Sequence, residues 1–243
     1  MSVVPPVLTR TWMINVNEVF GPTIQGEGPH TGRRSTFLRV AGCNLACSWC
    51  DTPYSWDWQR YERKDETHPM TPAELAADIQ GRGADLLVVT GGEPTLQQPG
   101  LLGLFGELPG SVDVAIETNG TRVPGRDFAD NVTLFVVSPK LANGGDKLGA
   151  RIVPKAMAAY RDLAVVGKAA FKFVVASVED LDEVAALCDL YRIEPPAVWA
   201  MPLGATAMEH LANLADLADP IVEHGFNLST RMHVLAWRTE RGR

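Results

Sequence analysis

The feature that most restricts the fold is a recurring alternation of short apolar runs and helical stretches. The runs are Arg34–Ala41, Leu86–Thr90, Asp113–Glu117, Leu134–Ser138, Phe171–Val175 and Ala197–Met201. Each is too short for a buried helix and rich in β-branched or aromatic residues, the pattern of strands inside a parallel sheet. Helical stretches lie between most of them, at Leu101–Leu108, Pro154–Leu163, Val178–Tyr191 and Met208–Val222. A further helix begins at Thr71-Pro72-Ala73-Glu74, where an N-cap, a first-turn proline and a capping-box glutamate coincide. Leu75 and Ile79 give it an inward stripe, and Gly81 and Gly83 end it. The short second-to-third and third-to-fourth links predict clipped or irregular helices there. Strand–helix alternation implies right-handed crossovers with helices outside a curved sheet. A closed eight-fold barrel takes about 250 residues. This chain has 243 and a long irregular N-terminal third, so the expected fold is α/β, an open partial (β/α)6 TIM-like barrel. One core domain over 1–243 is expected, with 1–12 as a loose N-terminal arm and 54–70 as an irregular insertion.

In such folds ligands meet the C-terminal ends of the strands. There the first main strand runs into Gly42-Cys43-Asn-Leu-Ala-Cys47-Ser-Trp49-Cys50-Asp51-Thr52, a Cys-x3-Cys-x2-Cys loop holding all but one of the 4 cysteines. Cys-x2-Cys is a frequent zinc half-site, but structural zinc is normally closed by a fourth ligand. The remaining cysteine, Cys188, is in helical register with Leu181, Val184 and Tyr191, which reads as a small core residue. Three thiolates without a fourth also suit a four-iron cluster whose unique iron binds a cofactor. The residues alone leave both readings open.

Other strand ends carry similar sets. Thr90-Gly91-Gly92-Glu93-Pro94 is either a plain turn or side-chain-free backbone that a ligand can approach, with Glu93 available to a cationic group. Glu117-Thr118-Asn119-Gly120 and Ser138-Pro139-Lys140 follow the next two strands. Polar, turn-forming ends on consecutive strands describe a lined pocket. Arg39, inside the strand before the cysteines, is either paired in the core or aimed at an anion. Upstream, Met13–Phe20 alternates like an edge strand. Gly21–Pro29 reads as a loop, at the surface or folded so that Gln25 and Glu27 reach a ligand.

A net charge of -7 argues against wrapping a nucleic acid. No apolar run is long enough to cross a bilayer, and clustered cysteines do not look like a secreted disulfide framework. The expectation is a cytoplasmic protein without nucleic-acid or membrane partners.

The cysteine loop with Trp49, the Gly-Gly-Glu-Pro turn and the part-barrel pattern resemble the radical S-adenosylmethionine (SAM) superfamily. Thr-Ile-Gln-Gly-Glu-Gly, Phe-Leu-Arg-Val-Ala-Gly-Cys, Cys-Asp-Thr, Ile-Glu-Thr-Asn-Gly and Val-Ser-Pro-Lys resemble its 7-carboxy-7-deazaguanine synthase branch, which serves the pathway to queuosine and other deazapurines. The resemblance implies a carbon–nitrogen lyase acting on 6-carboxy-5,6,7,8-tetrahydropterin, with one [4Fe–4S] cluster on Cys43, Cys47 and Cys50. It implies SAM on the open iron, contacted by Trp49, Gly92, Glu93, Ser138, Pro139 and Lys140, and magnesium at Thr52. It places substrate at Ile24, Gln25, Gly26, Arg39 and Thr90, with Glu27 and Glu117 as further contacts. A flavodoxin or ferredoxin donor and a homodimer belong to the same implication. Two departures stand out. Trp199-Ala-Met-Pro-Leu occupies the place of a glutamine-proline pair, and ten residues follow the family-like Leu228–His233 ending. The rival readings are another radical SAM enzyme such as a glycyl-radical activase, or a non-enzymatic zinc or iron–sulfur protein.

Overall fold

The computed structural model describes residues 12–238 and 240–242, so the expected arm over 1–12 lies outside the described residues except for Trp12. In chain order the elements are β1 (Ile14–Ile24), β2 (Arg34–Val40), α1 (Arg63–Glu66), β3 (His68–Met70), α2 (Pro72–Arg82), β4 (Leu86–Gly91), α3 (Gln98–Glu107) and β5 (Asp113–Thr118). There follow α4 (Arg126–Asp130), β6 (Leu134–Val137), α5 (Leu148–Arg151), α6 (Pro154–Val165), β7 (Ala169–Val175), α7 (Val178–Tyr191), β8 (Val198–Pro202), α8 (Ala207–Glu223), β9 (Asn227–Leu228) and α9 (Met232–Trp237). One sheet holds the strands of the described residues in the order β3-β1-β2-β4-β5-β6-β7-β8-β9. From β2 to β9 neighbours are parallel, whereas β1 pairs antiparallel with both β2 and β3. The six predicted strands are β2 and β4 to β8, and the sheet is open.

Period-two alternation sorts the strand residues between two faces. Leu87, Val89, Ile116, Phe135, Val137, Phe171 and Phe173 join the main core with Leu75, Ile79, Leu101, Leu104, Tyr160, Leu181 and Val184 from the helices. Their neighbours point the other way. Phe37, Leu86, Val88 and Ala115 form a small apolar floor, against which Phe20 packs. One step further along the same strands the inner face turns polar at Arg39, Thr90, Glu117, Ser138 and Lys172. Sheet pleating therefore delivers the polar strand ends to one concave surface.

Local details refine the expectations. The Thr71–Glu74 capping box forms, Gly81 stays helical, and Gly83 ends α2 at φ 65°, a left-handed conformation that suits glycine. The β4–β5 link holds a full ten-residue helix after a 3₁₀ turn, while α4 in the β5–β6 link is clipped to five residues. Gly21–Ile24, read as loop, instead continues β1 through an irregular register between Phe20 and Thr23. The stretch 54–70 is not wholly irregular: it contains α1 and ends in β3, paired to β1 at Ile14–Met70. β9 adds a short parallel strand beyond the expected six.

Candidate active site

A cavity of about 810 Å³ opens at the C-terminal ends of the strands. One wall is the cysteine loop. Cys43, Cys47 and Cys50 are free, half-buried and line the cavity. Burial pushes the Cys43 thiol up to about 11 and the Cys47 thiol up to about 12, with Asp146 adding to the latter over the opposing pull of Lys140. N–H groups already point at two of the sulfurs: Leu45 donates to Cys43 Sγ at 3.4 Å and the Trp56 indole to Cys50 Sγ at 3.2 Å. The segment after β6 clasps this loop. Ser48 N–H donates to the Gly144 carbonyl at 2.9 Å, and Trp49 Nε1–H donates to Asn143 Oδ1 at 3.0 Å. Asn143 is itself anchored to Val174 and Asp180. Lys140 Nζ sits 5.5 Å from the centroid of the Trp49 ring and donates to Ser138 Oγ at 2.9 Å.

The opposite wall is ionic. Glu27 pairs with Lys172 and, at 3.0 Å, with Arg231, which also pairs with Asp51. Glu117 accepts from Gln25 Nε2 at 3.0 Å and Thr90 Oγ1 at 2.7 Å, with Lys172 Nζ 3.9 Å away. Burial opposes ionisation of Glu27, but Lys172, Arg231 and His233 outweigh it and hold its carboxyl well below the usual range. Burial likewise works against the Lys172 ammonium, and Glu27 and Glu117 hold its pKa above the ordinary value. Burial lowers the His233 pKa more than Glu27 raises it, and the ring lines the cavity. Arg39 binds Glu18 Oε1 through Nε at 2.7 Å while facing the cavity, so it is both paired and turned toward a ligand.

The structure brings Ile24, Gln25, Glu27, Arg39, Trp49, Thr52, Thr90, Gly92, Glu117, Ser138 and Lys140 together with the cysteines on the cavity wall. Three expected contacts are set back from it. Glu93 is fully buried, and its carboxylate accepts from Thr95 N–H at 2.9 Å and Oγ1 at 2.6 Å, from Thr118 Oγ1 at 2.7 Å and from Asn119 N–H at 2.6 Å. It therefore braces the ends of β4 and β5 rather than waiting for a cationic group. Gly26 gives its carbonyl to Met232 N–H at 2.9 Å, and a side chain there would strike the His233 ring. Pro139 is buried beside Gly120. Gly92 does line the cavity, yet a Cβ on it would run into the Gly42 carbonyl, so close backbone packing beneath the cysteine loop already requires glycine. Cys188 sits in the core of α7, away from the loop, with its thiol pushed up to about 12 by burial.

Sequence reasoning missed Lys172, Arg231, Asp51, Asn143 and Asp146. Asp51 and Arg231 lie in stretches that carry the resemblance, and Lys172 carried a signal of its own, as a lysine inside the apolar run Ala169–Val175 that is 5% exposed in the fold.

The Radical SAM superfamily profile matches residues 38–135. A 7-carboxy-7-deazaguanine synthase from Pyrobaculum aerophilum is 35% identical over 237 residues, covering 97% of this chain and 100% of that one. One from Hyperthermus butylicus is 37% identical over 231 residues, covering 92% of each. The crystal structure of QueE from Escherichia coli superposes with a TM-score of 0.67 at 26% identity, covering 91% of this chain and 95% of that chain. Peptide-bound SuiB from Streptococcus suis, at 14% identity and a TM-score of 0.54, shares the fold alone. By these relatives and the profile match, the chain belongs to the 7-carboxy-7-deazaguanine synthase family of the radical SAM superfamily.

Proposed function

We propose that this chain is a carbon–nitrogen lyase that converts 6-carboxy-5,6,7,8-tetrahydropterin to 7-carboxy-7-deazaguanine with loss of ammonia, in deazapurine biosynthesis. The observation that carries this reading is the pairing of two unlike walls across one cavity, thiols on one side and a hydrogen-bonding ionic set on the other. A zinc or electron-carrying role would leave the ionic wall without a use. The reading treats the chain as one radical SAM core.

The residues fit a cluster. Three thiols face one space, the fourth cysteine is committed to the core, and N–H donors at Cys43 and Cys50 suit sulfurs that carry thiolate charge. Cys43, Cys47 and Cys50 would hold a [4Fe–4S] cluster, and Trp49, Gly92, Ser138 and Lys140 would contact SAM. When bound and reduced, the pair supplies the radical that takes hydrogen from the substrate. The protein's share is orientation. Trp49, fixed by Asn143, offers a flat face to a purine. Gln25, Thr90 and Glu117 offer a donor–acceptor row to the pyrimidinone edge of a pterin, with Ile24 as an apolar neighbour. Arg39 offers its guanidinium to the carboxylate. Glu27 stays ionised beside Lys172, so the wall keeps its charges fixed through turnover.

Thr52 Oγ1 lies 3.8 Å from Cys50 Sγ, at the junction of the two walls. A neutral hydroxyl there fits magnesium that takes most of its ligands from substrate and water. Thr52→Ala is expected to keep full iron content and lose magnesium stimulation of turnover. A flavodoxin or ferredoxin donor and a homodimer complete the reading. The test is anaerobic reconstitution, then assay with reductant, SAM, magnesium and 6-carboxytetrahydropterin. Formation of 7-carboxy-7-deazaguanine and ammonia is expected. Zinc without iron and sulfide after reconstitution would sink the cluster assignment, and cleaved SAM with unchanged pterin would sink the substrate assignment.

A further inference from the structure

The residues after the family-like ending have no part in the site as proposed, yet Arg238, Arg241 and Gly242 line the same cavity. Arg238, at φ 60° and ψ -128°, reverses the chain after α9. The return brings Arg241 against three elements from the other end of the sequence. Its Nε donates to Glu18 Oε2 at 3.1 Å, and its Nη2 donates to Glu66 Oε2 at 2.9 Å and Asn17 Oδ1 at 3.3 Å. Its guanidinium lies 3.9 Å from the centroid of the Tyr54 ring. Tyr54 in turn donates its hydroxyl to Glu18 Oε1 at 3.3 Å, the oxygen that receives Arg39 Nε at 2.7 Å.

Glu18 thus has its two oxygens divided between two arginines. Arg39 holds one through Nε, and Arg241 holds the other. An arginine and a carboxylate left to themselves prefer a two-point fork, each oxygen taking one N–H. If Glu18 formed that fork with Arg39, it would consume Nη donors that an incoming carboxylate needs. By occupying Oε2, Arg241 restricts Glu18 to a single contact at Arg39 Nε, and its stacking keeps the Tyr54 hydroxyl on Oε1, the oxygen that Arg39 holds.

We propose that Arg241 is a positioning residue for substrate carboxylate recognition, acting through Glu18 and Tyr54 to keep the outer N–H groups of Arg39 available. This rests on the proposed function in one respect, that the anion before Arg39 is the pterin carboxylate. Arg241 is 46% exposed in its side chain, so its replacement removes no core packing.

The experiment measures binding without turnover, by anaerobic equilibrium dialysis of the reconstituted, unreduced enzyme. Two ligands are compared, 6-carboxytetrahydropterin and tetrahydropterin lacking the carboxylate. Wild type is expected to prefer the carboxylated ligand. Arg241→Ala is expected to weaken that ligand by about fivefold to tenfold, the scale of one net hydrogen bond, and to leave the other unchanged. Adding Glu18→Gln to Arg241→Ala removes the competing carboxylate and is expected to restore most of the preference. A merely structural role would move both ligands together and show no rescue. If wild type has no preference, the assignment of Arg39 falls and this proposal with it. If wild type has the preference and Arg241→Ala retains it, or if Glu18→Gln gives no rescue, the proposal for Arg241 alone is overturned.

Discussion

The two walls of the cavity are built in opposite ways. The cysteine wall is one contiguous loop, fastened from outside by Asn143, Gly144 and Asp146, and its thiols take little part in holding other elements. The ionic wall is assembled from the segment after β1, from β4, β5 and β7, and from the turn before α9, and its ions are chiefly one another's partners, with Arg231 also reaching Asp51 of the cysteine loop. Arg231 and Glu27 are 204 residues apart in sequence. The first wall can lose its chemistry without losing the fold. In the second, charge and fold are the same interactions.

The largest expected effect is therefore functional. Cys47→Ala should lose the cluster, read as iron and sulfide content, and with it all turnover. Its cluster-free thermal stability should stay within about 1 kcal/mol of cluster-free wild type, because the side chain is only half-buried. On the ionic wall the order reverses. Lys172→Met leaves Glu27 and Glu117 without their shared cation, and breaking such a buried pair typically costs about 3–5 kcal/mol. Urea unfolding should show that loss, and the Glu27→Gln, Lys172→Met double variant should recover part of it. Equal destabilisation by Cys47→Ala and Lys172→Met would erase the distinction.

The same contrast explains what could be read in advance. The cysteine spacing and the turn residues at Gly91, Gly92 and Gly120 are local, so their chemistry survives in a linear text. The parallel strands were legible because burial on both faces leaves unbroken apolar runs. Which polar strand residue serves the cavity was not local. Glu93 and Glu117 both stand near the ends of buried strands, yet Glu93 points among Thr95, Thr118 and Asn119 while Glu117 meets Gln25 and Thr90. Glu93 lies past the end of β4, capping the turn that follows, whereas Glu117 lies within β5 on the inward parity, and a one-residue shift of β5 would turn it away from the cavity. Arg231 depends on the whole chain closing back on its start, and nothing near it in sequence states that.

Acidification should separate the walls again. The Glu27 carboxyl is held below its ordinary value of 4.5, so its stabilising contribution is complete above that pH and is lost as pH falls toward the native value. Burial holds His233 below 6.5, and likewise His210, a buried residue of α8 whose ring nitrogens meet the Pro202 carbonyl and the Thr230 hydroxyl, so the unfolded chain takes up their protons first and stability declines from 6.5 downward. Wild type should show both declines in urea unfolding, the lower with a slope of at most about 1.4 kcal/mol per pH unit for its one group and the upper of at most about twice that for its two. Glu27→Gln should flatten the lower decline and keep the upper one. On the cluster-free cysteine wall the Cys43 and Cys47 thiols, pushed up to about 11 and about 12, stay protonated throughout and contribute nothing. An unchanged lower decline in Glu27→Gln would move the acid sensitivity elsewhere.

The smallest expected effect concerns the cysteine that belongs to neither wall. Cys188 packs in α7 with Leu181 and Val184, 6% exposed, where its sulfur acts as a small apolar group. Cys188→Ala removes one heavy atom from a packed site, a change on the scale of a lost methylene, about 1 kcal/mol. Iron and sulfide content per chain should equal wild type, because the loop supplies its thiolates without help from α7. A fall in iron content with this substitution would make Cys188 a ligand in trans or in an alternative fold of the loop. The division between a self-contained cysteine wall and a fold-dependent ionic wall would then not hold, since a cluster needing α7 would tie the first wall to the core as tightly as Lys172 ties the second.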